Sequence, residues 1–288
     1  MHSRTVVGVP ASYDKNEDLE TDSTIKYLEH LKARGANTVM TTAGTSHFNL
    51  LNIEEIHRLN QATVAAFDGC KIVGAPALSV RGAVEFIRRA NDYLDEQSSL
   101  MLLYPERFYG NDSIIDYMSR LREHTANKIY IHGKTIRNAT GGDWDYSASV
   151  INKLYDLGVL CGIKEEHSSL AKSYDFVSDL NPEIDVIVAG GSMRRYEYLR
   201  SAGANSFLAG VGNLFPEVEQ SYLDGHRDLA INIEKKMFSV FMKYGWHKSL
   251  RIALKYMKLT CYYNRNPWPS NTTHEESEIA KIVEEIRV

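Results

Sequence analysis

Lys164 is the clearest candidate for a reactive side chain, because it directly follows a strongly apolar run at residues 159–163. That run is typical of a buried strand, and on a period of two residues Lys164 shares a face with Leu160. Desolvation lowers the pKa of a lysine, and the resulting neutral amine can attack a ketone and form an imine. The spacing is also compatible with an ion pair between Lys164 and Glu165 or Glu166 at a solvated strand end.

His132 is the second candidate. If a strand spans residues 128–132, His132 shares a face with Tyr130, and both side chains look into the same cavity. A histidine in that position can donate and accept protons near neutral pH. The alternative is a hydrogen-bonded histidine with a purely structural role.

The elements that position these residues recur about every thirty residues as short apolar or β-branched runs. The eight predicted strands are 6–9, 38–42, 71–75, 100–103, 128–131, 159–163, 185–189 and 206–208. Segments with apolar residues at helical spacing separate them, and such alternation is typical of a parallel sheet. Eight units fit a (β/α)8 TIM barrel of the α/β class better than an open sheet, which usually has fewer strands.

The C-terminal part of the chain lacks strand patterns. Helical patterns cover 231–244, 248–259 and 275–288, and they are interrupted at Gly245 and at residues 266–269. We therefore expect a barrel domain at 1–222 and a C-terminal helical extension at 223–288.

Composition excludes several classes of protein. The net charge is −4, from 33 basic and 37 acidic residues without a basic stripe, so we expect no nucleic-acid partner. The three cysteines lie far apart, which argues against a zinc site or a disulfide framework.

No segment has the length of a membrane span, and no leader is evident, so we expect a soluble, cytoplasmic protein without a membrane partner. The glycine-rich segments lack the dinucleotide-binding spacing, and we expect no cofactor and no metal.

Several segments, in the right order, carry a family resemblance. They are Gly44-Thr45-Ser46 with Leu51-Asn52-Ile53-Glu54-Glu55, Ile72-Val73-Gly74-Ala75, residues 105–109 (compared with P-Y-Y), Gly162-Ile163-Lys164, Ala189-Gly190, Asn213-Leu214-Phe215-Pro216 and Arg265-Asn266-Pro267-Trp268-Pro269. Together they resemble the dihydrodipicolinate synthase and N-acetylneuraminate lyase family of class I, Schiff-base aldolases along nearly the whole chain. The resemblance implies a TIM barrel in which Lys164 is the imine-forming lysine.

The resemblance also implies roles for other residues. Thr45 and Ser46 would bind the carboxylate of a 2-oxo acid through backbone N–H and hydroxyl groups, with Thr45 and Tyr109 assisting catalysis. Gly190 and Leu208 would line the pocket of the lysine. Relatives are usually dimers of dimers, so the resemblance implies a homo-oligomer, a dimer or a homotetramer.

The departures from the family pattern concern the substrate. The family's fifth strand usually reads Y-N-x-P-x-R, and an ungapped count places His132 at the tyrosine and Arg137, a substrate-binding candidate, at the arginine. A different register would place Tyr130 at the tyrosine position but loses the match at Arg137. The shortened first loop, with His47, and an insertion at 138–143 argue against the standard lysine-biosynthetic substrate and against sialic acid.

We therefore expect a lyase or aldolase that forms an imine between Lys164 and pyruvate or another 2-oxo acid, while His132 moves the proton. A dehydratase or hydratase of a 2-oxo sugar acid would use the same lysine. A catalytically silent barrel that binds a small acid or a partner protein is the alternative from another class. A metal-dependent enzyme using His47, His132 and Glu106 ranks last, because these residues lack ligand spacing.

Overall fold

A computed structural model describes residues 3–134, 136–138, 143–190, 192–261 and 263–287 of the chain. For residues 108, 136–138 and 143 it describes the backbone only. All structural statements below refer to these residues.

Eight parallel strands close into a barrel, in the order β1-β2-β3-β4-β6-β9-β10-β11 and back to β1. The strands are β1 Arg4–Gly8, β2 Thr38–Met40, β3 Cys70–Ala75, β4 Ser98–Leu102, β6 Lys128–Gly133, β9 Gly162–Glu165, β10 Asp185–Val188 and β11 Ser206–Leu208. Each overlaps one of the eight predicted runs, which confirms the predicted (β/α)8 barrel.

Helices alternate with these strands and continue after them. They are α1 Asp22–Ala33, α2 Ile53–Ala66, α3 Val80–Ala90, α4 Asn111–Arg122, α5 Ala148–Asp156, α6 Leu170–Ser178, α7 Met193–Arg200, α8 Pro216–Leu223, α9 Arg227–Tyr244, α10 Trp246–Tyr256 and α11 Thr273–Glu285. The C-terminal helices follow the predicted pattern, and Gly245, between α9 and α10, has a φ of 86° that favours glycine.

A small second sheet was not predicted. It consists of β5 Arg107–Phe108, β7 Ile136–Asn138 and β8 Asp143–Trp144, in the order β5-β7-β8. The β5 and β7 strands pair in parallel, whereas β7 and β8 are antiparallel. The first and last residues of the predicted insertion, Asn138 and Asp143, belong to strands of this sheet.

The chain divides into two compact units. The first contains Ile72–Leu208 with the start of the chain up to Arg4, and the second contains Thr5–Lys71 and Ala209–Val288. The domain boundary expected near residue 222 is not tested by this division and stays a prediction.

In the second unit, one ion pair joins two segments that carried the family resemblance. Arg265 donates from Nη2 to Oε1 of Glu55 at 2.6 Å and from Nη1 to Oε2 at 2.8 Å. Glu55 also completes the capping box of α2 by accepting from the N–H of Asn52. The C-terminal tail is thereby fastened to the start of α2.

In the first unit, Tyr130 lies two residues before His132 on β6, and its side chain faces the same side of the strand. Its hydroxyl donates to Oδ2 of Asp185 at 2.6 Å, and Arg4 donates to the same hydroxyl at 3.1 Å. A Cβ atom on Gly162 would lie 2.4 Å from the Tyr130 ring, so glycine is required at that register position. This packed layer supports the next one, which contains His132 and Lys164.

No helix in the described part of the chain is long and apolar enough to cross a membrane.

Candidate functional site

The parallel register of β6 and β9 brings Lys164 and His132 together. The two residues are direct neighbours in that register, one layer beyond the pair formed by Tyr130 and Gly162. The Nζ atom of Lys164 lies 2.7 Å from Nε2 of His132, and both side chains are buried. Both residues come at the carboxyl ends of their strands, where barrel enzymes carry their reactive groups.

Glu166 completes a group of three side chains. Its Oε2 atom lies 2.8 Å from Nε2 of His132 and 3.5 Å from Nζ of Lys164. The side chain of Lys164 is 4% exposed, whereas that of Glu166 is 42% exposed. The amine of Lys164 is therefore buried and also contacts a carboxylate, and its role as an imine-forming group stays a prediction.

Nε2 of His132 is shared between two partners, but a neutral imidazole nitrogen carries either one proton or one lone pair. When Nε2 carries the proton, it donates to Glu166, and the close amine of Lys164 is then best accommodated in its neutral form. When Lys164 is protonated, it donates to the lone pair of Nε2, and the proton of His132 resides on Nδ1. The protonation states of the three groups are thus linked through one atom.

The electrostatics of the group favour a neutral histidine. Burial, together with the charge of Lys164, lowers the pKa of His132 to about 4. Burial also lowers the pKa of Lys164, although the carboxylate of Glu166 opposes this effect. Burial raises the pKa of Glu166, but the hydrogen bond from His132 and the charge of Lys164 outweigh it and bring that pKa down to about 2.

A buried polar cluster fixes the segment that carries Glu166, directly after β9. Glu165 is fully buried and accepts hydrogen bonds from the N–H of His167 at 2.8 Å and from the hydroxyl of Ser173 at 2.8 Å. Arg195 donates to Glu165 at 3.2 Å and to the carbonyl of His167 at 3.0 Å. The backbone on both sides of Glu166 is therefore held in place.

Tyr130, the alternative to His132, does not contact Lys164 among the described interactions. Its hydroxyl is taken up by Asp185 and Arg4, one layer deeper along the strand. His132, and not Tyr130, is therefore the residue of β6 that lies beside the lysine, and its role in proton transfer stays a prediction.

Other predicted residues of this unit lie at strand ends without a described contact to Lys164. Tyr109 follows β5 and is 66% exposed. Gly190 follows β10 with a φ of 93°, and Leu208 ends β11 partly buried. Arg137 belongs to β7, and its side chain lies outside the described part of the structure. Their predicted roles stay predictions.

Thr45 and Ser46 belong to the second unit. The hydroxyl of Ser46 donates to the carbonyl of Val9, and its N–H donates to the carbonyl of Thr42 at 3.0 Å, so both donors are engaged. Thr45 packs against Gly8, and its hydroxyl forms no hydrogen bond with a described residue. Carboxylate binding by these two residues stays a prediction, and for Ser46 it requires an exchange of partners.

The predicted metal-binding alternative finds no support in the described ranges. They contain no group of three His, Cys, Asp or Glu side chains that could hold a metal ion.

Arg195 was not identified from the sequence, and Glu166 was considered only as an ion-pair partner of Lys164. The sequence did contain a signal for Glu166, because the period of two that turns Lys164 inward also turns residue 166 inward. Arg195 gave no comparable signal, since its partner Glu165 lies on another element, 30 residues earlier.

Comparisons with known proteins agree with the barrel fold. The model of the dihydrodipicolinate synthetase family matches residues 1–286. Dihydrodipicolinate synthase from Bacillus anthracis superposes with a TM-score of 0.83 at 12% identity, over 99% of this chain and 98% of that chain. The prophage protein YagE from E. coli K12, a member of the dihydrodipicolinic acid synthase family solved in complex with pyruvate, gives the same four values.

CdNal from Clostridium difficile, solved in complex with mannosamine, has a TM-score of 0.82 at 13% identity, over 99% of both chains. At such identities the solved structures show a shared fold alone. A search of the curated proteins gave no match.

Proposed function

Because the chain belongs to the dihydrodipicolinate synthetase family, whose members are lyases and aldolases, we propose that it is a class I lyase that forms an imine between Lys164 and pyruvate or another 2-oxo acid. The observation that carries this proposal is the buried amine of Lys164, 2.7 Å from the imidazole of His132. A lysine with a lowered pKa supplies the neutral amine that imine formation needs.

The covalent step begins when the neutral Nζ of Lys164 attacks C2 of the 2-oxo acid, forming a C–N bond while the carbonyl π electrons move to oxygen. That oxygen leaves as water after it receives two protons, one from the amine and one delivered from solvent through Nε2 of His132. The nitrogen remains as a protonated imine, which accepts electrons when a proton or a carbon substituent leaves C3. His132 is close enough to Nζ to serve this proton transfer.

The remaining predicted residues take supporting roles in this proposal. Thr45 and Ser46 bind the substrate carboxylate, and Thr45 and Tyr109 assist catalysis. Gly190 and Leu208 line the pocket of the lysine, and Arg137 binds the substrate. These roles rest on the family resemblance. The protein acts as a homo-oligomer, and its substrate differs from the lysine-biosynthetic one and from sialic acid.

The test is reductive trapping. The protein is incubated with pyruvate and reduced with sodium borohydride, and the adduct is located by peptide mass analysis. We expect an adduct on the peptide that contains Lys164, no adduct in Lys164→Arg, and an unchanged adduct in Lys172→Arg. Lys172 is a matched control because it lies in the same unit and is 66% exposed.

The absence of any adduct from pyruvate and from a panel of other 2-oxo acids would overturn the proposal. Binding of pyruvate without an adduct would identify a catalytically silent barrel that binds a small acid. An adduct with a 2-oxo sugar acid that then loses water would identify the dehydratase variant, which keeps Lys164 as the imine-forming residue.

A further inference from the structure

Glu166 lies directly beyond Lys164 on the side from which ligands approach. It follows β9 by one residue, shares the inward face of that strand with Lys164, and contacts both Lys164 and His132. In a barrel the carboxyl ends of the strands form the ligand-binding face. A molecule attached to Nζ of Lys164 therefore has a carboxylate as its neighbour.

One carboxylate oxygen of Glu166 is available to a ligand. Oε2 serves His132 and Lys164, whereas Oε1 forms no hydrogen bond with a described residue, and the side chain is 42% exposed. The hydrogen bond from His132 and the charge of Lys164 keep the pKa of this carboxyl, which burial alone would raise, at about 2. Glu166 is therefore an anion and a hydrogen-bond acceptor at neutral pH.

The carboxylate is within reach of the substrate's distal end. Three C–C bonds of about 1.5 Å carry C5 of a five-carbon 2-oxo acid roughly 4 Å from C2. Because Oε2 lies 3.5 Å from Nζ, a substituent on C5 can contact Glu166 while C2 is bonded to the lysine.

We propose that Glu166 is a specificity-determining residue that selects 2-oxo acids with hydroxyl or ammonium groups on the distal carbons and rejects those with a distal carboxylate. The inference rests on the proposed imine at Lys164. Hydroxyl and ammonium groups donate to Oε1, whereas a second carboxylate faces like charge at a partly desolvated position.

Lys134, near Lys164 and His132, carries a charge opposite to that of Glu166. It is exposed at the end of β6, and its positive charge contributes to lowering the pKa values of Lys164 and His132. Because Lys134 acts at longer range and in solvent, whereas Glu166 touches the reactive amine, the carboxylate dominates selection.

The experiment compares two five-carbon 2-oxo acids, 5-hydroxy-2-oxopentanoate and 2-oxoglutarate, by the concentration that gives half-maximal borohydride trapping. Trapping reports imine formation and does not require later turnover. We expect the hydroxylated acid to half-saturate at a concentration about tenfold below that of 2-oxoglutarate. In Glu166→Gln the difference should shrink to about twofold, and in Lys134→Gln it should grow.

Controls separate this inference from the proposed function. Glu183→Gln makes the same substitution at an exposed site before β10 and should keep the tenfold difference. Failure of pyruvate to form any adduct would overturn the imine itself. A pyruvate adduct with equal half-saturation for the two longer acids, or a preference for 2-oxoglutarate that Lys134→Gln removes, would overturn the role of Glu166 alone.

Discussion

Nε2 of His132 lies 2.7 Å from Nζ of Lys164 because the register of β6 and β9 makes the two residues direct neighbours. Burial and the charge of Lys164 lower the pKa of His132 to about 4, so the imidazole is neutral at pH 7. A neutral imidazole beside the amine can both accept and return a proton, which imine chemistry requires.

The first prediction concerns His132. In His132→Gln, turnover of the productive substrate should fall roughly 10²–10⁴-fold, because the group that moves the proton is lost. Trapping of pyruvate on Lys164 should persist, since the amine itself is retained. Steady-state kcat and the yield of the borohydride adduct measure the two effects.

A matched control is His124→Gln, in the loop that precedes β6, which should leave kcat unchanged. Unchanged kcat in His132→Gln would show that His132 has only a structural role. Thermal unfolding of both variants establishes that they are folded.

The second prediction concerns the pH dependence of imine formation. Glu166 raises the pKa of Lys164 through its charge and its hydrogen bond, so Glu166→Gln should lower that pKa further. Since only the neutral amine attacks, the rate of trapping rises as the pH increases through the pKa of Lys164. The midpoint of this rise should therefore move to lower pH in Glu166→Gln.

The control for this shift is Glu183→Gln, which should keep the midpoint of the native protein. A midpoint that stays in place or moves to higher pH in Glu166→Gln would contradict the electrostatic coupling between Glu166 and Lys164. The trapping rates are compared at constant ionic strength, because salt screens exposed charges.

Most strands of the barrel could be predicted from sequence periodicity, but the exact ends of strands and the pairing of very short strands could not. The predicted sixth strand began at Val159, yet β9 begins at Gly162. The N–H of Val159 instead donates to the carbonyl of Leu154 and closes the end of α5. The two-residue strand β5 is stabilised by pairing with β7, about 30 residues away, and two residues show no periodicity.

The parts of the site that depend on the alternation of side-chain direction along one strand could be predicted. Lys164 and His132 followed from period two and from the ends of apolar runs. Glu166 was considered only as an ion-pair partner of Lys164 at a solvated strand end, because its contact with His132 depends on a neighbouring strand. The distances within the group depend on the register between strands, which no single strand encodes.

The third prediction concerns the layer beneath the site. A Cβ atom on Gly162 would lie 2.4 Å from the Tyr130 ring and 2.5 Å from the carbonyl oxygen of Asp185. Gly162→Ala should therefore lower the free energy of unfolding by about 2–3 kcal/mol, measured by urea denaturation.

Gly82→Ala is the matched control for this substitution. A Cβ atom at Gly82, in α3, would meet neighbours only at 3.4 Å or more, so alanine should be neutral or should stabilise by up to about 1 kcal/mol. Equal stabilities for the two variants would contradict the tight packing of Tyr130 against Gly162.

The fourth prediction concerns Glu219, a fully buried carboxyl in the second unit. Its Oε1 accepts from the N–H of Gly210 at 2.8 Å, and burial raises its pKa to about 7. The unfolded chain has the ordinary carboxyl pKa, so ionisation opposes folding. The associated stability is complete below about pH 4.5 and is lost as the pH rises through about 7.

The magnitude follows from the difference in pKa between the folded and unfolded states. A rise from 4.5 to about 7 corresponds to about 3 kcal/mol of stability lost at pH values well above 7. Glu219→Gln keeps an acceptor for the N–H of Gly210 without the charge. Its stability relative to the native protein should therefore improve by most of that amount between pH 5 and pH 9, because a smaller part is already lost at pH 5. Urea denaturation at both pH values measures the difference. If the two proteins lose stability in parallel as the pH rises, Glu219 does not ionise with a raised pKa.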